Sequence, residues 1–306
     1  MILTVTLNLA LDVTYQVPRV DWDGVNRVSA VHRRAGGKGV NVARVLAALG
    51  HDVLVTGLAG GPTGEAVEAD LRAAGLPAAL HGIAAESRTT LAVSDAPAPG
   101  DVSRTALFNE PGPEVTAAEL DGFTRRYESL VAATDAVVIS GSLPRGVPAD
   151  TYAGLAAIAA DRGVPAIVDA DGEPLSHAPK GRPSIVKPNA EELARAVPGG
   201  TPAEGAHALR GRGAQAVVVS MGADGLLAVT GEGTFRARMP YTVRGNPTGA
   251  GDSLVAGLAL GLVERAPWPD RLRRAAALGA AAVATPVAGE FDPDVYADIH
   301  PQITIT

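Results

Sequence analysis

Short runs of β-branched residues, each followed by a stretch rich in alanine and leucine, leave this 306-residue chain few folds to adopt. Strands are expected at 53–58, 136–140, 166–169, 184–187 and 216–220, and helices at 40–49, 65–74, 117–132, 150–161, 190–196 and 203–212. That alternation is the pattern of a parallel sheet covered by helices. Ligands of such sheets gather at the carboxyl ends of the strands. Ser140-Gly141-Ser142, Asp169-Ala170-Asp171, Lys187-Pro188-Asn189 and Ser220-Met221-Gly222 all fall there. Residues 13–31 and 88–108 break the alternation and read as extended pieces without covering helices. They suggest a small β-sheet projecting from one α/β domain that spans 1–306, either as a lid or as a pairing surface.

Composition removes several classes of function. The chain has no cysteine, so it has neither a disulfide framework nor a thiolate metal site. Its six histidines, at 32, 51, 81, 177, 207 and 300, show no metal-ligand spacing. A net charge of −7 disfavours nucleic acid and anionic membranes as partners, so any phosphorylated substrate needs local basic residues. The apolar runs at 254–263 and 275–284 are short and rich in glycine and alanine, which argues against a membrane span. The first residues, Met1 to Leu7, lack a basic leader and read as a buried strand, so a soluble cytoplasmic protein is expected.

Chemistry is concentrated in Asn246-Pro247-Thr248-Gly249-Ala250-Gly251-Asp252-Ser253, which runs directly into an apolar helical segment. Backbone N–H groups at a helix start have no partner within the helix, and glycine lets an anion approach them closely. A carboxylate in that place repels the anion unless it takes a proton from a group attacking it. The segment therefore points to phosphoryl transfer, with a first-turn acid that only complements the helix dipole as the bland alternative for Asp252. A second cluster, Ala35-Gly36-Gly37-Lys38-Gly39-Val40-Asn41, also opens a helix. Lys38 can bring charge to a phosphate or to sugar hydroxyls, and Asn41 lies one turn behind it. Its spacing is not that of a Walker loop, and a glycine turn with a solvated lysine stays open as an alternative.

These two clusters together resemble the ribokinase-like (PfkB) family of carbohydrate kinases. Ser140-Gly141-Ser142-Leu143-Pro144, Val186-Lys187-Pro188-Asn189-Ala190-Glu191-Glu192 and Ser220-Met221-Gly222-Ala223-Asp224-Gly225 match in order between them. Gly-Gly-Lys-Gly-Val-Asn and Ser-Gly-Ser-Leu-Pro look most like the hexose-phosphate branch, which includes 1-phosphofructokinase and tagatose-6-phosphate kinase. The resemblance implies a three-layer α/β/α domain with a mostly parallel central sheet and a small β-sheet lid, using ATP and Mg²⁺. Asp252 is then the base, and the N–H groups of Gly249, Ala250 and Gly251 form the anion hole for the moving phosphoryl group. Asn189 and Glu192 match an Asn-x-x-Glu element that organises Mg²⁺ and phosphates through water, with an ordinary helix-start acid as its alternative. Lys187, Ser220, Gly222, Gly225 and Thr248 fall on the nucleotide side, although a plain hairpin explains the glycines of 220–225 equally well.

On the acceptor side the resemblance places Asp12, Gly36, Gly37, Lys38, Asn41 and Ser140, with Asn8 assisting. A substrate that already carries a phosphate needs a cationic seat, for which Arg88 and Lys38 come first, then Arg104 and Arg27. Three departures stand out: Leu9 where proline is common, Asp169-Ala170-Asp171 where hydroxyl residues are common, and Asn246-Pro247 ahead of the final motif. The expected reaction is ATP-dependent phosphorylation of a ketohexose phosphate, first fructose 1-phosphate, with tagatose 6-phosphate or fructose 6-phosphate as alternatives. A homodimer paired through lid strands is also expected. A non-catalytic sugar-phosphate sensor is the reading from another class, but it would be expected to have lost the base or the anion hole. A dinucleotide-dependent dehydrogenase is rejected, because no Gly-x-Gly-x-x-Gly turn follows the first strand.

Overall fold

The computed structural model describes residues 1–95 and 105–306. The strands are β1 Ile2–Thr6, β2 Ala10–Val17, β3 Ala30–Gly36, β4 Val53–Ala59, β5 His81–Gly82, β6 Arg88–Asp95 and β7 Thr105–Asn109. They continue as β8 Ala136–Ser140, β9 Ala166–Asp169, β10 Ile185–Val186, β11 Val217–Ser220, β12 Leu226–Val229, β13 Thr234–Arg238 and β14 Thr304–Ile305. The helices are α1 Lys38–Ala48, α2 Gly61–Ala73, α3 Ala117–Val131, α4 Thr151–Asp161 and α5 Gly172–His177. Beyond them lie α6 Ala190–Ala196, α7 Pro202–Gly211, α8 Ala250–Val263, α9 Trp268–Val283 and α10 Pro293–Ile299.

One large sheet has the order β14-β13-β12-β11-β10-β9-β8-β1-β4-β5. From β5 to β11 every pairing is parallel, and the far edge from β11 through β14 is antiparallel. Successive side chains of a strand point to opposite faces, and the core divides accordingly. Val138 and Ile167 join α1, α8 and α9 residues such as Val45, Leu258 and Leu278. Their strand neighbours Val137, Ile139 and Val168 join Phe123, Tyr127, Leu155 and Leu209 of α3, α4 and α7. The result is the expected three layers, helix on sheet on helix. The sheet is more antiparallel at one edge than the sequence suggested, because β12 and β13 are short and alternate too little to stand out.

A second sheet, β3-β2-β6-β7, leaves the carboxyl end of β1. β2 runs antiparallel to β3 and parallel to β6, with Asp12 opposite both Arg34 and Thr90. The expected extended segment at 88–108 carries β6 and β7, with its tip and Arg104 outside the described residues, whereas that at 13–31 holds only the end of β2 and the start of β3, with no strand over 18–29. Two helices start earlier than their apolar periodicity indicated. α1 begins at Lys38 directly behind Gly37, and α2 begins at Gly61 with Pro62 in its first turn, a place where proline costs no hydrogen bond.

α8 is buried along almost its whole circumference, from Asp252 through Gly261. It lies between α1 and α9, and its backbone approaches α9 so closely that a Cβ on Gly257 would stand 2.7 Å from Ala275 Cα. Overpacking of such a contact costs about 1–3 kcal/mol. Gly257→Val is expected to lower the melting temperature by several degrees and, by displacing α8, to depress turnover; an unchanged melting curve would show that the helices separate freely.

Candidate active site

The first turn of α8 is shaped by what precedes it. Asn246 Oδ1 accepts from Thr248 N–H at 3.0 Å and its amide donates to Pro286 O at 2.9 Å, so Asn-Pro closes a turn of its own. Gly249 then caps the helix at φ 86°, a left-handed conformation, with Ala288 so near that a side chain could not be accommodated. Ser253 N–H makes the first helical bond, to Gly249 O at 3.0 Å, and Ala250 N–H turns back to Pro247 O at 3.2 Å. Among the described residues, the N–H groups of Gly249, Gly251 and Asp252 have no partner. Of the expected donors at 249–251, Ala250 is therefore committed to the turn, and Asp252's own N–H stands beside that of Gly251.

Asp252 is buried, and its Oδ2 accepts from Asn41 Nδ2 at 2.8 Å. Burial pushes its carboxyl up to about 6, helped by the negative charge of Asp169 and restrained by Lys38, Asn41 and Lys187. Lys187, at the end of β10, reaches Asp169 Oδ1 at 3.2 Å, and Lys38 Nζ lies 3.4 Å from both Asp169 oxygens. Burial alone would raise the Asp169 carboxyl, but Lys187 and Lys38 outweigh it and hold it below its ordinary value. Asp169 in turn raises Lys38 well above the usual lysine range. The Lys187 ammonium also adjoins α8, 3.4 Å from where a Cβ on Gly251 would lie. The glycine-lysine cluster and the glycine-aspartate motif, more than two hundred residues apart, thus meet: Lys38, Asn41, Lys187, Gly251 and Asp252 surround one space.

The second sheet supplies the other wall. Asp12 is buried enough that its carboxyl is raised, although Arg34, Thr90, Arg88 and Arg44 each pull it back. Gly36 lies over it, where a Cβ would stand 2.1 Å from Asp12 Cγ. Gly37, at φ 115°, packs on Thr6 and aims α1 at the site. Arg88 is half-buried, with its guanidinium near Asn8 O at 3.4 Å and Glu110 O at 3.5 Å. Ser140 Oγ, Thr6 Oγ1 and Asn8 Oδ1 are buried without a hydrogen-bond partner. Arg27 is exposed, and Arg104 is not among the described residues.

Asn189 and Glu192 form a reciprocal capping box at the start of α6: Asn189 N–H donates to Glu192 Oε2 at 2.7 Å, and Glu192 N–H donates to Asn189 Oδ1 at 2.8 Å. The helix-start alternative for this pair is therefore realised, and the cap uses Oε2 alone. Asn189 bridges to Ser220 at the end of β11, which places the pair beside Lys187. Gly222 is exposed at φ 58° and Gly225 is buried against Ala237 O, as a tight β11–β12 hairpin requires. Thr248 is exposed. Among the described residues there is no group of three or more His, Cys, Asp or Glu able to hold a metal. No described helix is long and apolar enough to cross a membrane.

Two residues of this site, Asp169 and Arg34, carry no local sequence signal for it. Asp169 was visible as a strand-end acid, but its two lysine partners come from distant segments. Arg34 donates to Ala288 O at 2.7 Å and lies 3.4 Å from Glu290, fastening β3 to the loop that covers Gly249. Only the strand register reveals that it also faces Asp12.

The three-layer fold with a small sheet at its carboxyl edge, and a buried acid in the first turn of a helix, define a ribokinase-like phosphotransferase that acts on an alcohol. Residues 5–294 match the pfkB family of carbohydrate kinases, and the chain belongs to that family. It is similar to phosphofructokinase-2 from Escherichia coli, at 32% identity and a TM-score of 0.88, with 98% of each chain covered. It is also similar to a Thermotoga maritima protein described as a possible 1-phosphofructokinase, at 27% identity and a TM-score of 0.88, covering 100% of this chain and 98% of that one. Membership implies ATP as the phosphoryl donor.

A base that must be ionised gives an activity limb at its own pKa. For Asp252 the log of kcat/KM is expected to rise with pH up to about 6 and level off above it. Asn41→Ala removes a donor that favours the charged form, so its limb is expected at higher pH; a limb that stays in place would separate Asn41 from the titrating group.

Proposed function

We propose that this chain transfers the γ-phosphoryl group of ATP to a hydroxyl of a ketohexose phosphate, with fructose 1-phosphate as first substrate. The observation that carries the reading is the buried Asp252 carboxylate, oriented by Asn41 and set beside the unpartnered N–H groups of Gly251 and Asp252. In the transfer, the sugar oxygen bonds to the γ-phosphorus while the bond from that phosphorus to the bridging oxygen breaks. The hydroxyl proton passes to Asp252, and the electron pair of the broken bond leaves on ADP. The transition state is loose, so placement and charge stabilisation matter more than base strength. Gly251 and Lys187 are placed to stabilise the moving group.

Asp12, Asn41 and the buried, unpartnered Ser140 hydroxyl would hold the sugar, and Gly36 and Gly37 let it approach the backbone. Lys38 is drawn to Asp169 and serves the reacting end. Arg88 donates to the backbone carbonyls of Asn8 and Glu110 and, among the described residues, forms no ion pair with a carboxylate, so it is the better seat for the substrate's own phosphate. The strand ends at Asn189, Ser220, Gly222 and Gly225 would line the nucleotide, with Thr248 at its rim. Magnesium keeps several waters and binds through one or two carboxylates plus substrate phosphates, which suits a lone Glu192 whose cap leaves one oxygen uncommitted. When bound it would neutralise phosphate charge.

A second reading, fructose 6-phosphate, is favoured by the likeness to Escherichia coli phosphofructokinase-2, one structure of which contains fructose-6-phosphate. The small sheet would close over the sugar and exclude water. It also exposes Val31, Leu107 and Phe108, which supports pairing of two chains into a homodimer.

An ADP-release assay across fructose 1-phosphate, fructose 6-phosphate, tagatose 6-phosphate, ribose and fructose decides the substrate. Release with a ketohexose phosphate is expected, and release with none of them would turn the reading toward a sensor. Asp252→Asn is expected to lower kcat by about 10²–10⁴-fold while nucleotide binding persists. For Arg88→Ala the KM for the sugar phosphate is expected to rise about tenfold or more, with the KM for ATP nearly unchanged; equal changes in both would move the phosphate seat elsewhere.

A further inference from the structure

We infer that Asp169 is a positioning residue for phosphoryl transfer, holding Lys38 on the acceptor side and Lys187 on the donor side of the space in front of Asp252. The inference rests on the kinase reading above. A structural account of Asp169 covers only half of the arrangement. Lys187, with 4% of its side chain exposed, needs a counter-ion to be buried at all. Lys38 does not, because 37% of its side chain is exposed and water would solvate it. Yet its ammonium lies at equal distance from the two Asp169 oxygens, 3.4 Å each. One carboxylate, itself only 1% exposed, thus fixes two cations that arrive from different elements, α1 and the end of β10.

The direction of the two cations supports the same conclusion. Lys187 meets the first turn of α8 at Gly251, the positive end of a helix, an approach that is favourable when an anion lies between them. Lys38 opens α1, whose next turn carries Asn41 and its bond to Asp252. A phosphoryl group moving from donor to acceptor would pass from one ammonium toward the other. Groups fixed before the reaction cost no reorganisation during it, which is the condition for electrostatic stabilisation to act. The charged and polar groups facing Asp252 are Lys38 and Asn41 from α1, Asp169 from β9 and Lys187 from the end of β10. Removing the charge of Asp169 therefore affects the base as well as the lysines.

The test uses the full chain, its best sugar phosphate from the ADP-release assay, and two variants checked for folding by their melting curves. Asp169→Asn keeps size and removes charge; kcat is expected to fall about 100-fold or more, and the acid limb to move to lower pH than in the wild type. Asp169→Glu keeps the charge and shifts the carboxylate by one methylene; kcat is expected to fall while the acid limb stays near the wild-type position. Wild-type kcat in either folded variant, or an unmoved limb in folded Asp169→Asn, would overturn the inference. Should Asp169→Asn fail to fold, Asp169→Glu alone decides on kcat. An inactive wild type would instead count against the kinase reading, so the two failures are distinguishable.

Discussion

Two interacting carboxylates kept out of water, Asp169 and Asp252, are the constraint around which this site is arranged. Removing one ion from water costs several kcal/mol even after relaxation, and the cost is met only by opposite charge and hydrogen bonds. Asp252 and Asp169 are both buried, Lys187 is buried beside them and the partly exposed Lys38 faces them, so two negative charges are set against two positive ones. With both carboxylates ionised the group is neutral, and an incoming phosphate finds ammonium ions already in place. Asn41 adds the one hydrogen bond that fixes which way Asp252 points.

Neighbouring strands of the parallel sheet make that quartet possible. β9 and β10 pair with Ile167 beside Ile185 and Val168 beside Val186, so the next residues, Asp169 and Lys187, emerge side by side at the carboxyl edge. The second sheet begins where β1 ends and returns through Gly36 and Gly37 into α1, which delivers Lys38 and Asn41 to the same edge. α8 is buried because its N-terminus must reach the space between them, and small residues let it do so: Gly249 under Ala288, Gly257 against Ala275. The fold and the site share these contacts, so a packing change in α8 is also a change in the position of the Asp252 carboxylate.

Much of this was legible in the sequence because it rests on local signals. β-branched runs and glycine-acid turns fix where a strand or helix begins, and the site residues at 249–252 and 36–41 lie at such punctuation. What was not legible depends on distance. Nothing near Asp169 announces that Lys38 and Lys187 converge on it, and nothing near Arg34 announces Asp12 or the loop at 288–290. The Asn189–Glu192 pair shows the opposite case, in which one short motif satisfies a helix cap and stands beside Ser220 at the carboxyl edge of the sheet at once. Its spacing is that of a capping box, so sequence spacing alone could not separate the two uses.

The same electrostatics explain why a chain of net charge −7 can take two phosphorylated ligands. Long-range charge is screened within about 8–10 Å in physiological salt, so what a bound phosphate experiences is the local set: Lys38, Lys187, Arg34, Arg88 and the N-terminus of α8, set against Asp12, Asp169 and Asp252. Arg34 and Arg88 flank Asp12, and burial lowers both of their pKa values without discharging them. Inside the site, Asp169 plays two opposed parts, since its charge holds the lysines and adds to the burial that raises the Asp252 carboxyl to about 6. A carboxylate with that pKa is ionised at neutral pH yet accepts a proton more readily than an exposed aspartate, which suits the proposed transfer, in which the hydroxyl loses its proton only as the new bond to phosphorus forms.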